Sequence, residues 1–319
     1  MIDKLYVIGN GFDIHHGINS SYKCYMKWLK DNHKDVYDNI LKYYPQAEDD
    51  EWWGDFENNL GSPEIQEYLS DTAYFNQSSS EDIEKMRAID DTGGEFDVHS
   101  ELGGAIEDLK GTFHEWILSL DHARKGAKLN LDTDNALFLN FNYTKTLEEV
   151  YDINEDKILH IHGSIDDDKF ILGHGEDKTS IEDTVDPQEE WDGESDPDEF
   201  FRSQLRDNIT EKTYAAAIEE IFSLRKDVPY LISVHEAFWK KLQNVNQIFV
   251  FGISFSSVDE PYLDKIKESV LPSAKYIVSY HSKGDINRIK SFMSSRNITN
   301  YECVKLENLE VNRQLNLFE

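Results

Sequence analysis

Cysteine is nearly absent: Cys24 and Cys303 are the two in 319 residues. That is too few for a disulfide framework and fits a reducing compartment. Basic residues are scarce as well. Lys and Arg number 32 against 63 Asp and Glu, for a formal net charge of −31. A surface so negative repels nucleic-acid phosphates and anionic lipid, and no run of Lys or Arg makes a local exception. Neither nucleic acid nor membrane is therefore an expected partner. No apolar run approaches the ~20 residues of a membrane span. The opening Met1-Ile2-Asp3-Lys4-Leu5 lacks the charged and apolar regions of a signal peptide, so a cytoplasmic location is expected. No internal repeat is visible. What is present is 39% hydrophobic and 12% aromatic content, enough for a packed core and against disorder of the whole chain.

The apolar run Leu5-Tyr6-Val7-Ile8 stops at Gly9-Asn10-Gly11, and a helix is expected from about Ser20, with Tyr22, Tyr25, Met26 and Leu29 on one face. A strand, a glycine turn and a helix in that order can offer backbone N–H groups to a phosphate. The spacing departs from the dinucleotide fingerprint, because Ile14 fills the third glycine position and the next glycine is Gly17. The other reading of the same residues is a tight turn after a buried parallel strand.

Further apolar runs predict strands at Ala136–Phe141, Ile158–His162, Phe170–Leu172, Gln247–Gly252 and Lys275–Tyr280, separated by helical periodicity. Strands alternating with helices predict an α/β fold, a three-layer Rossmann-like parallel sheet. Trp53, Phe56 and Leu60 give a helix one apolar face, with Asp55 and Glu57 beside it as either solvated acids or the rim of a pocket. Ile106, Leu109, Phe113, Trp116, Ile117 and Leu120 predict a long core helix, and residues 76 to 104 a connection. Glu176 to Glu199 carries twelve acids and one lysine, Lys178, and is expected to be a solvated loop. The expected organisation is a single domain over 1–319, with a helical insertion at about 30–125 and an acidic loop and helical insertion at about 176–245.

Several polar residues fall at predicted strand ends. Asn142 follows the second strand, and Thr144 is placed to cap the helix carrying Leu147 and Val150, with Glu148 near the positive end of its dipole. Open α/β sheets bind ligands at such ends. His160 and His162, two apart in a strand, would share one sheet face. Three histidines, His160, His162 and His174, invite a metal reading, but His-x-His alone is short of a zinc site. A buried imidazole or a strand-end general base are the other two roles.

At these residues the chain resembles the AbiH family of bacterial abortive-infection proteins. The likeness runs through Ile8-Gly-Asn-Gly-Phe-Asp13, Trp53-Gly-Asp-Phe-Glu57, Phe141-Asn-Tyr-Thr144 to Leu147-Glu148, His160-Ile-His-Gly163, Gly173-His174, and Phe249-Val-Phe-Gly-Ile-Ser-Phe-Ser-Ser-Val-Asp259. One departure is Ile253, where the family more often has histidine. The resemblance implies defence against bacteriophage by arresting the infected cell, with a phage trigger or a defence-system partner protein.

A more distant similarity, to sirtuin-like NAD-consuming domains, implies a reaction. Gly9 and Gly11, Asn142, and His162-Gly163 match the glycine turn, the strand-end Asn and the His-Gly of those domains. Gly252, Ser254 and Asp259 match the turn that meets the adenosine end of the cofactor. Asn10 and Phe12-Asp13 stand where sirtuins carry smaller residues. No zinc-ribbon cysteine set is present, which argues against peptide deacetylation. The resemblance implies NAD as substrate, without a metal, cleaved at its N-glycosidic bond. His162 would act as base toward water or a ribose hydroxyl, and Asn142 would orient the water or the ribose. Gly9, Asn10 and Gly11 would hold the pyrophosphate. Asp13, Asp55 or Glu57 would bind a ribose hydroxyl or stabilise developing positive charge. The alternatives are a metal-dependent nucleotide hydrolase or transferase and a non-catalytic nucleotide-sensing module. A homo-oligomer is among the expected assemblies of the chain.

Overall fold

The computed structural model describes residues 1–78, 95–120, 128–167, 170–185 and 197–311. The first apolar run forms β1 (Lys4–Ile8), and β2 (Ala136–Asn140), β3 (Ile158–His160), β4 (Gln247–Phe251), β5 (Lys275–Ser279) and β6 (Tyr301–Val304) complete one sheet. The order is β3-β2-β1-β4-β5-β6 and every pairing is parallel. Parallel sheets need cover on both faces, which is why β1 and β2 read as unbroken apolar runs. Alternate residues divide between two cores. Leu5, Val7, Leu139, Val250 and Val278 enter one, with Leu231, Trp239, Tyr262, Ile266 and Phe292 from helices. Tyr6, Ile8, Phe138, Phe251 and Ile277 enter the other, with Phe12 and Leu147. This is the three-layer, Rossmann-like α/β architecture that the alternating pattern predicts.

Register puts Tyr6 beside Phe138 on one neighbouring strand and Phe249 on the other. The rings stack at centroid distances of 5.0 and 4.4 Å. The Tyr6 hydroxyl accepts the Asp132 N–H at 3.1 Å, and burial pushes its pKa up to about 12.

The chain divides into two compact units. One comprises Met1–Cys24, His114–Ile171 and Asp227–Glu319 and carries the sheet; the other comprises Tyr25–Phe113 and Leu172–Lys226. The second unit is helical, with helices Gln66–Ser78 and Lys178–Val185 both packed on the long helix Pro197–Ser223. It has an aromatic centre: Trp53 stacks on Phe56 at 5.1 Å and meets Tyr25 edge-on at 5.9 Å. The Trp53 indole N–H donates to the Ala47 carbonyl at 2.8 Å, so burying the ring leaves no orphan donor.

Several expectations change. The helix after β1 starts at once, Asn10–His15, ahead of the expected helix, which runs Tyr22–Asn32. β3 ends at His160, so His162 lies in the following turn and does not share a strand face with it. Phe170–Leu172 is irregular, and β6 takes the sixth place in the sheet instead. Part of the acidic stretch folds as the helix Lys178–Val185, while residues 186–196 lie outside the described residues. Among the described residues no helix is long and apolar enough to cross a membrane.

Candidate functional site

The chain lays down β1, moves outward to β2 and β3, then returns to β4 on the opposite flank of β1. In an open parallel sheet the carboxyl ends flanking such a reversal form the ligand crevice. Here the turns after β1 and β4 meet at that point, backbone against backbone. Gly252 has φ +74, and a Cβ on it would sit 2.2 Å from the Phe12 nitrogen; one on Gly11 would sit 2.8 Å from the Gly252 Cα. These glycines are explained by the mutual approach of two turns. The amides are engaged too. The Gly9 N–H donates to the Phe251 carbonyl at 2.9 Å and the Gly11 N–H to the Gly252 carbonyl at 3.0 Å. The Asn10 side chain is held by Ser20, its amide donating to the Ser20 carbonyl at 2.9 Å and its oxygen accepting the Ser20 hydroxyl.

The turn after β2 is tied to the turn after β1. The Asn142 amide donates to the Gly9 carbonyl at 3.1 Å, and the Asn142 N–H donates to Asn140 Oδ1 at 3.0 Å. Asp13 is 1% exposed and accepts the hydroxyls of Thr144 and Thr146. The helix Thr146–Tyr151 has no side-chain cap. Thr144, expected as that cap, spends its hydroxyl on Asp13 instead, because an ionisable group buried this deeply needs its donors close.

The two histidines after β2 differ. His162 is 3% exposed, its ring in edge contact with Phe141 at 5.5 Å and with Tyr262 at 5.6 Å. His160 lies nearer the surface. Its Nε2 is 2.7 Å from Glu148 Oε1 and its Nδ1 is 3.2 Å from the Asn142 carbonyl. Sequence reasoning placed Glu148 at the helix dipole and did not pair it with His160. The parallel register Asn140↔His160 is the signal that brings β3's last residue to this turn.

Beyond β4, Ser254 is exposed, and the Ser256 hydroxyl donates to Asp259 at 3.2 Å. Phe255 takes φ +59 within this turn, a left-handed conformation that costs a large side chain energy. Its ring packs on Phe292 at 5.1 Å.

Asp55 and Glu57 belong to the helical unit. Asp55 is exposed and accepts the Asn58 amide at 2.8 Å. Glu57 pairs at 2.7 Å with Lys226, whose side chain is 0% exposed. Lys226 carried no sequence signal: a lone lysine after a helix reads as surface. Nearby in the chain fold, the Lys226 N–H donates to the His174 carbonyl at 2.8 Å. His174 itself is buried and neutral in its contacts. Its Nε2 faces the Ile221 carbonyl at 2.9 Å and so carries the proton, while its Nδ1 accepts the Glu176 N–H at 3.1 Å. Burial pushes its pKa below the usual imidazole range. Among the described residues no three His, Cys, Asp or Glu side chains gather as a metal-binding group.

A family model described as bacteriophage abortive infection AbiH matches residues 5–280. No curated protein and no solved structure matches the chain. The match spans β1 to β5 with every strand-end turn described above, so the chain belongs to the bacteriophage abortive infection AbiH family and, with it, to defence against bacteriophage.

Proposed function

We propose that the carboxyl edge of the sheet binds a nucleotide and hydrolyses NAD or a related nucleotide at its N-glycosidic bond. The observation that carries this reading is the strand order, which reverses at β1, together with the polar side chains that collect after β1, β2 and β3. In the reaction, a water oxygen bonds to the anomeric carbon while the bond from that carbon to nitrogen breaks. The electron pair leaves on the nitrogen, and the proton of the water passes to a base. Asn142 orients the water or ribose and His162 takes the proton. Ser254 and Asp259 line the adenosine end, and Gly9 to Gly11 face the pyrophosphate. Asp13 holds the threonine hydroxyls behind the site. Glu57 is committed to Lys226 and, with Asp55, has no part in this reading. Consumption of NAD would starve an infected cell of its redox carrier, which is consistent with abortive infection.

The test is release of free nicotinamide from NAD by the purified chain. Loss of a general base costs typically 10²–10⁴-fold, so His162→Ala and Asn142→Ala are each expected to fall by roughly 100-fold or more. Undiminished release in both variants removes these roles. A second reading, a nucleotide sensor without turnover, is favoured by one observation: Asn142 and Asp13 already spend their side chains on each other's turns, and Asn10 spends its own on Ser20. Saturable NAD binding with no nicotinamide would assign that role instead.

A further inference from the structure

β2 ends at Asn140, so the ladder of the sheet does not reach Asn142. Asn142 is nonetheless buried, and buried backbone groups need partners. Side chains supply them. Asn140 Oδ1 accepts the Asn142 N–H at 3.0 Å, and His160 Nδ1 lies 3.2 Å from the Asn142 carbonyl. The Asn142 side-chain amide donates to the Gly9 carbonyl at 3.1 Å. One residue is thus held from three adjacent strands: from the turn after β1, from the end of β2 and from the end of β3.

The hold from β3 has a support of its own. A carbonyl can only accept, so the Nδ1 turned to Asn142 carries a hydrogen. The Asn140 amide nitrogen stands farther off, at 3.4 Å, and as a donor itself it does not compete for that hydrogen. On the other side of the ring, Nε2 faces Glu148 Oε1 at 2.7 Å. A ring fixed at Nδ1 alone can swing about that contact; one fixed at both nitrogens cannot. Glu148 comes from the helix Thr146–Tyr151, which follows the turn. Meeting one carbonyl does not require an imidazole and a carboxylate that are 14% and 11% exposed, whose desolvation is costly. What the pair adds is direction.

We infer that Glu148 and His160 are positioning residues for Asn142. Glu148 sets the ring, the Nδ1 hydrogen sets the Asn142 carbonyl, and the Asn142 side chain is thereby kept where it acts on water or ribose. This rests on the reading in which Asn142 has that part. Neither Glu148 nor His160 needs to touch the substrate.

The experiment is steady-state release of nicotinamide from NAD by the full chain and its variants, with kcat and KM measured separately. A misplacement of about 1 Å costs on the order of 10²-fold in rate. His160→Ala and Glu148→Ala should therefore each lower kcat by roughly 10- to 100-fold while KM stays near its wild-type value. His160→Asn puts an amide nitrogen near the place of Nδ1 and should keep more of the rate than His160→Ala. Glu148→Gln keeps a polar partner for Nε2 and should likewise exceed Glu148→Ala. Two double variants read the route. Glu148→Ala should add little to the loss in His160→Ala, because it works through the ring. His160→Ala should add little to the loss in Asn142→Ala, because it works through Asn142. Thermal melts within a few degrees of wild type certify each fold. Where an alanine variant does not fold, His160→Phe or Glu148→Leu, which fill the space without the polar contacts, takes its place. Unchanged kcat in both single variants of an active chain overturns the inference and leaves the nucleotide reading standing. So does a loss confined to KM, or a loss that is undiminished in the Asn142→Ala background. No nicotinamide from the wild-type chain overturns the catalytic reading and this inference with it.

Discussion

Each of the two units buries an ionisable side chain, and they do so by different means. In the sheet unit, Asp13 accepts the hydroxyls of Thr144 and Thr146. In the helical unit, Lys226 meets the carboxylate of Glu57. A threonine hydroxyl can turn and offer its lone pairs where it previously offered its hydrogen, so its partner can change without leaving a polar atom stranded. A carboxylate has no such freedom. It accepts whatever it faces, and losing its cation leaves a buried charge uncompensated. The same motif family thus supplies one tie that adapts and one that does not. The adaptable tie is at the strand ends proposed to receive a ligand.

Substitution separates the two, and the largest effect belongs to the ion pair. Lys226→Met should destabilise the chain by about 3–5 kcal/mol, the usual cost of removing one partner of a buried pair. Replacing both partners, Lys226→Met with Glu57→Met, should recover much of it. Denaturant unfolding monitored by tryptophan fluorescence reads both values, and a double variant no better than the single would break the comparison.

A smaller effect is expected from pH, again in the helical unit. His174 is buried with its pKa lowered, so the unfolded chain binds a proton that the folded chain refuses. The stabilisation is complete above the ordinary imidazole value of about 6.5 and is lost as pH falls from there toward the lowered folded value, with a slope of at most about 1.4 kcal/mol per pH unit. Melting temperatures measured from pH 7.5 down to 5 should fall, and His174→Gln should flatten that slope. An unchanged slope would show that protonation of His174 is not what limits stability in acid.

The smallest effect should be Asp13→Asn. The hydroxyls of Thr144 and Thr146 can rotate to accept from the new amide, and the cost should stay near or below about 1 kcal/mol. A loss as large as that of Lys226→Met would mean that the hydroxyls are fixed and that the contrast between the units does not hold.

Much of this was readable in the chain, unevenly. β1, β2, β4 and β5 are apolar runs because both their faces are covered, and such runs are conspicuous. β6 is not: Tyr301-Glu302-Cys303-Val304 is short, lies at the sheet's edge and mixes polar with apolar residues. Phe170–Leu172 misleads for the opposite reason. Leu172 is buried and Phe170 and Ile171 half-buried in a loop, where the Ile171 N–H reaches the His162 carbonyl at 2.8 Å and the Tyr143 hydroxyl reaches the Ile171 carbonyl at the same distance. At the site, strand-end position alone marks Asn142 as polar and placed. It cannot say that Thr144 serves Asp13, that Glu148 meets His160, or that Lys226 is buried. Those depend on pairings between residues far apart in the chain, and composition and periodicity carry nothing of them.

The central place of β1 has a consequence for how the protein is made. Lys4 pairs with Ala136 on one side and with Gln247 on the other. At ~5–20 residues per second, the first partner follows β1 out of the ribosome by roughly 7–26 s and the second by roughly 10–50 s. Through that interval Leu5, Tyr6, Val7 and Ile8, all destined for the interior, wait with at least one hydrogen-bonding edge open. The strand synthesised first is among the last to be enclosed, and a chain cut short of β4 is left with an apolar edge that any other strand can cap.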